Sequence, residues 1–347
     1  MSQRDTVVVG ASAGGVTALR TLLAGLPADF PARILVVLHV PPSGVNALAS
    51  VLARSSPMKV RSAENQDRLE LGVVLVAQPD HHLVVVDDSI LLTRGPRENG
   101  HRPAIDVLFR SAAKALGPRT IATVLSGALD DGSAGLRAVR SRGGIGIVQD
   151  PDDAQHAGMP TNAIRAADPE YIVPVADMPA LLTALIGVEV ADQPEAVDLP
   201  PELAQLMETE VAMAEMTQEG FKDAHRPGIS SGLSCPDCHG VLFAIGEHDL
   251  PRFRCRVGHA WSAQSLLAEH RTAVEGALWM ALRALEEKAA LCLDMSERVG
   301  TSGAAISARR FGDQAAEAQG AADLLRGLLA DGVGINIDKE TEGNRLG

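Results

Sequence analysis

The stretch T-V-V-V-G-A-S-A-G-G, residues 6–15, predicts a buried strand that runs into a glycine-flanked serine. Gly10, Ser12 and Gly14 fit the G-x-S-x-G pattern, in which a serine lies on a tight turn between a strand and a helix. Such a turn needs backbone angles that glycine adopts most easily, and the first amides of the helix are free to bind an anion. The pattern therefore favours Ser12 as a nucleophile. A glycine-rich phosphate loop or an ordinary βα turn are the alternatives that it leaves open.

The composition indicates a folded protein of two or three domains. The sequence has 347 residues, 46% of them hydrophobic, and a formal net charge of −13. The negative charge disfavours binding to a phosphate backbone, so no nucleic-acid partner is expected. Neither a secretory signal nor an apolar run of about 18 residues is found, so membrane insertion is not expected and a cytoplasmic location is.

Residues 1–187 are predicted to form a doubly wound α/β domain with a mainly parallel sheet, because continuous apolar runs alternate with helical segments. Val73–Ala77 and Leu83–Val86 are predicted to form a β-hairpin through Gln78-Pro79-Asp80. The other predicted strands are Thr6–Gly10, Ile34–His39, Thr120–Ser126 and Ile145–Gln149, and the predicted helices are Gly15–Leu26, Asn46–Arg54, Ala104–Leu116, Gly132–Arg142 and Pro179–Ile186.

The second half of the sequence is predicted to hold smaller units. In order they are an acidic, proline-rich linker with a following helix, a cysteine-rich module, a C-terminal helical hairpin and a flexible tail, at residues 188–229, 230–262, 263–330 and 331–347. Because residues 188–201 read as a linker, we expect the module to be separate from the α/β domain. Chemistry at Ser12 is then expected to be independent of the module.

A serine nucleophile needs a base, and the base needs a carboxylate that orients it. His39 ends the second predicted strand, and Asp131 follows the strand Thr120–Ser126. The carboxyl ends of parallel strands meet at one edge of a sheet, so Ser12, His39 and Asp131 are expected to lie together there. The alternatives are an ordinary strand-end histidine and an aspartate that caps a helix. Asp130 is a second candidate for the acid.

Five motifs follow one another through this domain. They are G-A-S-A-G-G at 10–15, H-V-P-P at 39–42, H-R-P-A-I-D-V-L-F at 101–109, S-G-A-L-D-D-G-S-A-G at 126–135 and G-M-P at 158–160. Together they resemble the catalytic domain of CheB-type protein-glutamate methylesterases over residues 6 to about 186. The resemblance implies hydrolysis of glutamyl γ-methyl esters on the cytoplasmic helices of chemoreceptors, with glutamine deamidation there in some members. It implies no cofactor for the catalysis.

The resemblance also implies a role for each residue that matches a motif. Ser12 is the expected nucleophile, His39 the general base and then acid, and Asp131 the residue that orients the histidine. The backbone N–H groups of Ala13 and Ala128 are the expected oxyanion hole.

Other features of the resemblance concern the substrate and regulation. Arg102, in the H-R-P motif, is expected to hold the acidic substrate helix, with a structural ion pair as the alternative. The sequence has Ala13 where the family usually has Thr, and Ala128-Leu129 where it usually has Met-Gly. A receiver domain commonly precedes this domain, but here the catalytic strand begins at residue 6, so regulation is expected from elsewhere. Two other functions stay open: a non-catalytic scaffold with the same fold, or a methylesterase that acts on another methylated protein outside chemotaxis.

The cysteine-rich module contains four residues that are spaced as metal ligands. Cys235 and Cys238 form a Cys-x2-Cys pair, and Cys255 and His259 form a Cys-x3-His pair. Structural zinc binds four such ligands in a tetrahedron, and it stabilises small segments that have few apolar residues. The spacing therefore predicts a structural zinc in a zinc-ribbon-like module. The alternatives are buried cysteines without a metal, or His239 as the fourth ligand.

Overall fold

The structure is a computed structural model that describes residues 2–43, 47–191, 201–223, 228–247, 249–301 and 304–330. The chain divides into two compact units, Met1–Leu266 and Leu267–Gly347. The first unit contains both the α/β domain and the cysteine-rich module. The predicted tail, 331–347, and residues 192–200 of the predicted linker lie outside the described residues, and the domain boundaries stay predictions.

Strands and helices alternate through the α/β domain. Its strands are β1 (Ser2–Gln3), β2 (Thr6–Ala11), β3 (Arg33–Leu38), β4 (Lys59–Ser62), β5 (Val73–Val76), β6 (His82–Val86), β7 (Ser89–Thr93), β8 (Thr120–Val124), β9 (Ile145–Gln149), β10 (Tyr171–Val173) and β11 (Glu189–Val190). Its helices are α1 (Gly15–Ala24), α2 (Leu48–Ala53), α3 (Ile105–Leu116), α4 (Ser133–Ser141), α5 (Gly158–Ala167) and α6 (Met178–Leu185), and α7 (Pro201–Ala214) and α8 (Gln218–Asp223) follow them.

A seven-stranded parallel sheet forms the centre of this domain, in the order β10-β9-β8-β2-β3-β5-β4. Helices α1, α2 and α6 pack on one face, and α3, α4 and α5 pack on the other. Strand β2 shows why its apolar run has no polar interruption: Val7 and Val9 belong to one core and Val8 to the other. The predicted doubly wound, mainly parallel fold is confirmed.

The strand order places the candidate residues at one edge of the sheet. From β2 the chain continues to β3 on one side, and it later returns to β8 on the other side. Ligands of doubly wound sheets bind outside the carboxyl ends of the strands where the order reverses in this way. Ser12 follows β2, His39 follows β3, and Asp131 lies in the loop after β8. The topology therefore brings the three side chains together.

The predicted hairpin has the wrong partners. Strand β5 is parallel to β3 and β4 in the main sheet, and β6 pairs with β7 instead. Val73–Val76 is buried throughout, as expected for a strand inside a two-faced sheet. Asp87 and Asp88 form a two-residue connection between β6 and β7, and Asp87 has a φ of 51°, as short hairpin turns require. Strands β1, β4, β7, β10 and β11 and helix α5 also have no counterpart among the predicted elements.

The cysteine-rich module is a four-stranded antiparallel sheet. Its strands, in spatial order, are β12 (Ile229–Ser234), β13 (Val241–Glu247), β14 (Leu250–Cys255) and β15 (Ala260–Ser262). The turns after β12 and β14 lie at the same end of this meander. Cys235 N–H donates to Gly240 O at 2.8 Å across the first turn, and Cys255 N–H donates to His259 O at 2.9 Å across the second. Both pairs of predicted ligands therefore lie at one end of the sheet.

In its described residues, the second compact unit contains two antiparallel helices, as the predicted helical hairpin requires. The two helices are α9 (Ala263–Thr301), whose first turn belongs to the first unit, and α10 (Ala305–Ala330). Ser296 Oγ donates to Ala308 O at 2.7 Å near the connection, and Arg326 pairs with Glu286 farther along. Cys292, the fourth cysteine, is buried in α9. Among the described residues, none of the helices has the length and apolar character that a membrane span requires.

Candidate active site

Ser12, His39 and Asp131 form a hydrogen-bonded chain at the carboxyl edge of the sheet. His39 Nδ1 lies 3.1 Å from Ser12 Oγ, and His39 Nε2 lies 2.7 Å from Asp131 Oδ2. When the imidazole carries its proton on Nε2 and donates it to Asp131, Nδ1 is free to accept the serine proton. The arrangement is that of a nucleophile, a base and the acid that orients the base.

Two glycines shape the turn that presents Ser12. Gly14 has a φ of 73°, and a Cβ there would lie 2.7 Å from Ser126 Oγ. A Cβ at Gly10 would lie 2.2 Å from Ile105 Cγ2. Ser12 N–H donates to Ser126 O at 3.0 Å, which joins the turn to the loop after β8. Steric crowding therefore explains why both outer positions of the G-x-S-x-G pattern are glycine.

The predicted oxyanion hole has two available donors. Over the ranges that the structure describes, neither the N–H of Ala13 nor that of Ala128 donates to a protein acceptor. Leu129 has a φ of 61°, the left-handed conformation that a glycine adopts freely and that costs other residues about 1–2 kcal/mol. The loop thus keeps a glycine-like backbone although leucine replaces the glycine that the resemblance implies.

Asp131 is the acid that contacts the histidine, and its carboxylate is fully paired. Oδ2 accepts from His39 Nε2 and from Ile105 N–H, both at 2.7 Å. Oδ1 accepts from Asn99 Nδ2 at 3.0 Å and from Asp106 N–H at 3.3 Å. Burial acts to raise the pKa of Asp131, but the hydrogen bond and charge of His39, with the Ile105 amide, outweigh it and hold the pKa well below its usual range. The group stays ionised and fixes the imidazole.

Two further carboxylates lie close to this site without contacting His39. Asp130 Oδ1 accepts from Ser262 Oγ at 2.6 Å and from Ser265 Oγ at 3.1 Å, and burial raises the pKa of Asp130. Asp106 Oδ1 accepts from Gly132 N–H at 3.0 Å, which holds the acid loop. Burial, with the nearby negative charge of Asp131, raises the pKa of Asp106 to about 8.

A turn that is not among the predicted elements contacts both the acid and the base. Glu98 and His101 exchange backbone hydrogen bonds of 3.2 and 2.8 Å across Asn99 and Gly100, whose φ values are 52° and 76°. Two positive φ angles are typical of a type I′ turn, and Asn-Gly is its strongest sequence signal. We call residues 98–101 the Asn-Gly turn. The Asn99-Gly100 dipeptide is the sequence signal that could have revealed this turn.

The Asn-Gly turn places one side chain against the acid, Asp131, and another against the base, His39. The Asn99 amide reaches Asp131, as described above, and the His101 ring stacks on His39 with centroids 3.6 Å apart and an interplanar angle of 11°. Burial, with the charge of His39, lowers the pKa of His101 to about 4. At neutral pH His101 is therefore an uncharged ring that restrains His39.

A cleft of about 330 Å³ opens beside His39, between the H-V-P-P segment and the Asn-Gly turn. Arg102 lines it, but its guanidinium is already engaged: it donates to Asp80 Oδ1 at 2.6 Å and to Gly95 O at 2.8 Å. This geometry agrees with the structural ion-pair alternative for Arg102. Arg97 also lines the cleft. Its Nη1 lies 3.9 Å from Asp237 Oδ1, and its side chain is 38% exposed, against 16% for Arg102.

The four predicted metal ligands converge. Their ligand atoms, those of Cys235, Cys238, Cys255 and His259, all lie within 4.8 Å of one another. The sulfur atoms of Cys238 and Cys255 are 3.6 Å apart, and His259 Nδ1 is 3.6 Å from Cys255 Sγ. A tetrahedral zinc with its usual bond lengths separates its ligand atoms by about 3.5–3.8 Å. The donor set therefore fits this metal, and the exposed His239 is outside the cluster.

The module is not separate from the α/β domain, in contrast to the expectation from the linker. Asn99 N–H donates to Ala260 O at 2.8 Å, and Ala260 N–H donates to Arg97 O at 3.1 Å. Strand β15 thus pairs directly with the Asn-Gly turn. A proline-rich sequence pattern predicts a connection between two parts of the chain, but it does not determine whether the surfaces of those parts touch.

Comparisons with known proteins show which family the α/β domain belongs to. A family model described as CheB methylesterase matches residues 7–182. Proteins named protein-glutamate methylesterase/protein-glutamine glutaminase 2 are 36% identical, over 185 residues in Methanosarcina mazei and over 186 in Pseudomonas aeruginosa. These alignments cover 51% and 52% of this chain and 50% and 53% of the relatives, so the chain spans about half the length of either.

A solved structure gives the same result. The crystal structure of the Thermotoga maritima CheB methylesterase catalytic domain has 33% sequence identity and a TM-score of 0.51, and the match covers 52% of this chain and 98% of that chain. The family match spans half of the sequence and contains the whole hydrogen-bonded chain from Ser12 to Asp131. The chain belongs to the CheB methylesterase family.

Proposed function

We propose that this protein is a protein-glutamate methylesterase whose nucleophile, base and orienting acid are Ser12, His39 and Asp131. The observation that carries the proposal is the hydrogen-bonded path from the serine hydroxyl through the imidazole to a buried, ionised carboxylate. Family membership supports it. The substrate class is a glutamyl γ-methyl ester on a methylated chemoreceptor helix or on another methylated protein, and a glutamine amide is the second substrate that the same chemistry accepts.

The geometry assigns a role to each residue in the reaction. Ser12 Oγ attacks the γ-carbonyl carbon while His39 Nδ1 takes up its proton, and the resulting oxyanion is stabilised by the amides of Ala13 and Ala128. The tetrahedral intermediate collapses with cleavage of the bond to the methoxy oxygen, and His39 returns the proton to the departing methanol. Water then attacks the acyl-serine with His39 as base, which releases glutamate and restores Ser12.

The cleft beside His39 is the proposed seat of the substrate helix. Arg97, which faces Asp237 at 3.9 Å but stays 38% exposed, is the more accessible positive charge there for the acidic residues of such a helix, whereas Arg102 fixes the wall of the cleft through Asp80. The methylated helices of chemoreceptors lie in the cytoplasm, so a cytoplasmic location goes with this substrate.

A structural zinc is the proposed occupant of the cysteine and histidine cluster. Cys235, Cys238, Cys255 and His259 provide all four positions of a tetrahedron, so none is left for substrate or water, and the metal would stabilise the module without taking part in the ester chemistry. The ester chemistry itself needs no cofactor.

The test is methanol release from a methylated chemoreceptor cytoplasmic fragment by the full chain. We expect release by the wild type and a loss of several orders of magnitude in Ser12→Ala, with an unchanged circular dichroism spectrum. A wild type that releases no methanol from any methylated protein would support the scaffold alternative. Release from other methylated proteins, but not from receptors, would place the same enzyme outside chemotaxis.

A further inference from the structure

A relay of hydrogen bonds connects the cysteine-rich module to the catalytic acid. Ser262 N–H, on β15, donates to Asn99 Oδ1 at 2.8 Å. Asn99 Nδ2 in turn donates to Asp131 Oδ1 at 3.0 Å, while Asp131 Oδ2 accepts from His39. The Asn99 side chain is buried, so water does not substitute for either contact. One amide therefore joins a strand of the module to the group that orients the base.

A second connection reaches the neighbouring aspartate. Ser262 Oγ and Ser265 Oγ both donate to Asp130 Oδ1, and Ser265 N–H donates to Ser262 Oγ at 3.0 Å. Asp130 precedes Asp131 directly, and thus the loop that carries the acid is held from the module side at two successive residues.

Buried ion pairs also hold the cysteine-rich module against the α/β domain. Glu98 of the Asn-Gly turn and Glu210 of α7 face Arg110 of α3 and also Arg252 and Arg254 of β14, with every side chain at most 8% exposed. Burial acts to raise the pKa of both glutamates, but the guanidinium groups outweigh it and keep them ionised. Moving the module away would leave unpaired charges in the interior, which is strongly unfavourable.

Arg254 also connects this contact between the module and the α/β domain with the proposed metal ligands. Arg254 directly precedes Cys255, and its Nη1 donates to Gly258 O at 3.1 Å, inside the turn between Cys255 and His259. Gly258 packs so closely on Pro96 that a Cβ there would lie 2.7 Å from the proline ring. The shape of the metal-binding turn therefore determines where β15, and with it Ser262, meets the Asn-Gly turn.

We infer that the cysteine-rich module is a working part of the active site: through Ser262 and Asn99 it positions Asp131, so that zinc loading sets the turnover rate of the esterase. This inference rests on the proposed function. Asn99 is a positioning residue, because it acts on the substrate only through Asp131 and His39. Loss of zinc frees the turn at Cys255–His259, releases β15 and leaves the acid with one donor fewer.

The first experiment changes the relay without changing the metal. Asn99→Gly removes the amide but keeps a residue that adopts the left-handed φ of the turn. We expect kcat to fall about 10- to 100-fold, as for other outer partners that orient an active group, with KM and the zinc content unchanged. Asn99→Asp, which still accepts from Ser262 N–H but donates nothing to Asp131, should not rescue kcat.

The second experiment changes the metal. Cys238→Ser is expected to lower both zinc content and kcat, whereas Cys292→Ser, the same substitution at a cysteine outside the cluster, should change neither. Removing zinc with a chelator should reduce kcat of the wild type far more than that of Asn99→Gly, because the two perturbations interrupt the same relay and so are not additive. Equal losses in both backgrounds would overturn the inference.

A substrate-independent readout separates this inference from the proposed function. The rate at which a fluorophosphonate labels Ser12 depends on His39 and Asp131 but not on recognition of a methylated helix. If labelling slows on zinc removal and in Asn99→Gly, the relay is supported even if no methylated protein is hydrolysed. If labelling and methanol release proceed at wild-type rates without zinc and in Asn99→Gly, the inference fails and the proposed function stands.

Discussion

Replacement of Asp131 by asparagine tests the acid of the triad most sharply, because its carboxylate oxygens face four donors. An asparagine offers one acceptor oxygen and one NH2 group. If the NH2 group faces Asn99 and the Asp106 amide, two buried donors lose their acceptor, at about 1–3 kcal/mol each. If it faces His39 instead, the imidazole must move its proton to Nδ1, and it can no longer accept one from Ser12.

Either orientation also removes the negative charge that stabilises the protonated histidine. We therefore expect Asp131→Asn to lower kcat by about 10⁴-fold and to lower the free energy of unfolding by about 2–6 kcal/mol. Methanol release measures the first quantity and urea unfolding the second. Asp130→Asn is the matched comparison, because it keeps an oxygen for Ser262, and its loss of kcat should be smaller by at least about 10²-fold. A wild-type rate in Asp131→Asn, or a larger loss in Asp130→Asn, would refute the assignment.

Three further predictions concern stability, the cleft and the metal. His82 is fully buried, and this desolvation lowers its pKa to about 4, so the folded state resists a proton that the unfolded chain binds below about pH 6.5. The contribution of His82 to the free energy of unfolding should therefore fall by about 3 kcal/mol between pH 6.5 and 4. Urea titrations at several pH values should show this as a difference in pH dependence between the wild type and His82→Gln, and the same pH dependence in both proteins would contradict it. Arg102→Ala should lower that free energy by about 1–3 kcal/mol through the loss of its bonds to Asp80, with KM unchanged, whereas a raised KM at unchanged stability would restore its role in substrate binding. Metal analysis should find one zinc per chain in the wild type and in His239→Gln but not in His259→Gln, and zinc in all three proteins would contradict the ligand set.

The residues that could be predicted from the sequence are those whose chemistry is local. Ser12 lies in a turn that its own glycines define, and His39 and Asp131 follow apolar runs that are recognisable as strands. Strand ends meet at one edge of a parallel sheet whatever else the chain does, so their proximity follows from the fold class. The Cys-x2-Cys and Cys-x3-His spacings are likewise short-range patterns.

The rest depends on contacts between distant parts of the chain. Val73–Val76 and the strand at Leu83 are both apolar, so the sequence does not reveal that the first pairs with β3 and β4 and the second with β7 across the short connection at Asp87. Glu210 and Arg254 look like surface charges in the sequence, but they are buried against each other where the module meets the α/β domain. Asn99 contacts Asp131 across 32 residues of sequence, so the Asn-Gly dipeptide predicts a turn but not its contact with the acid.

The measurement that tests the central claim most directly is the capture of the acyl-enzyme. The full chain is mixed with a methylated receptor fragment and quenched in acid within milliseconds, and the adduct is located by peptide mass spectrometry. The mechanism predicts a glutamyl ester on Ser12 that forms together with one released methanol per chain and is absent in Ser12→Ala. Methanol release at the wild-type rate by Ser12→Ala, or an adduct on any other side chain, would contradict it.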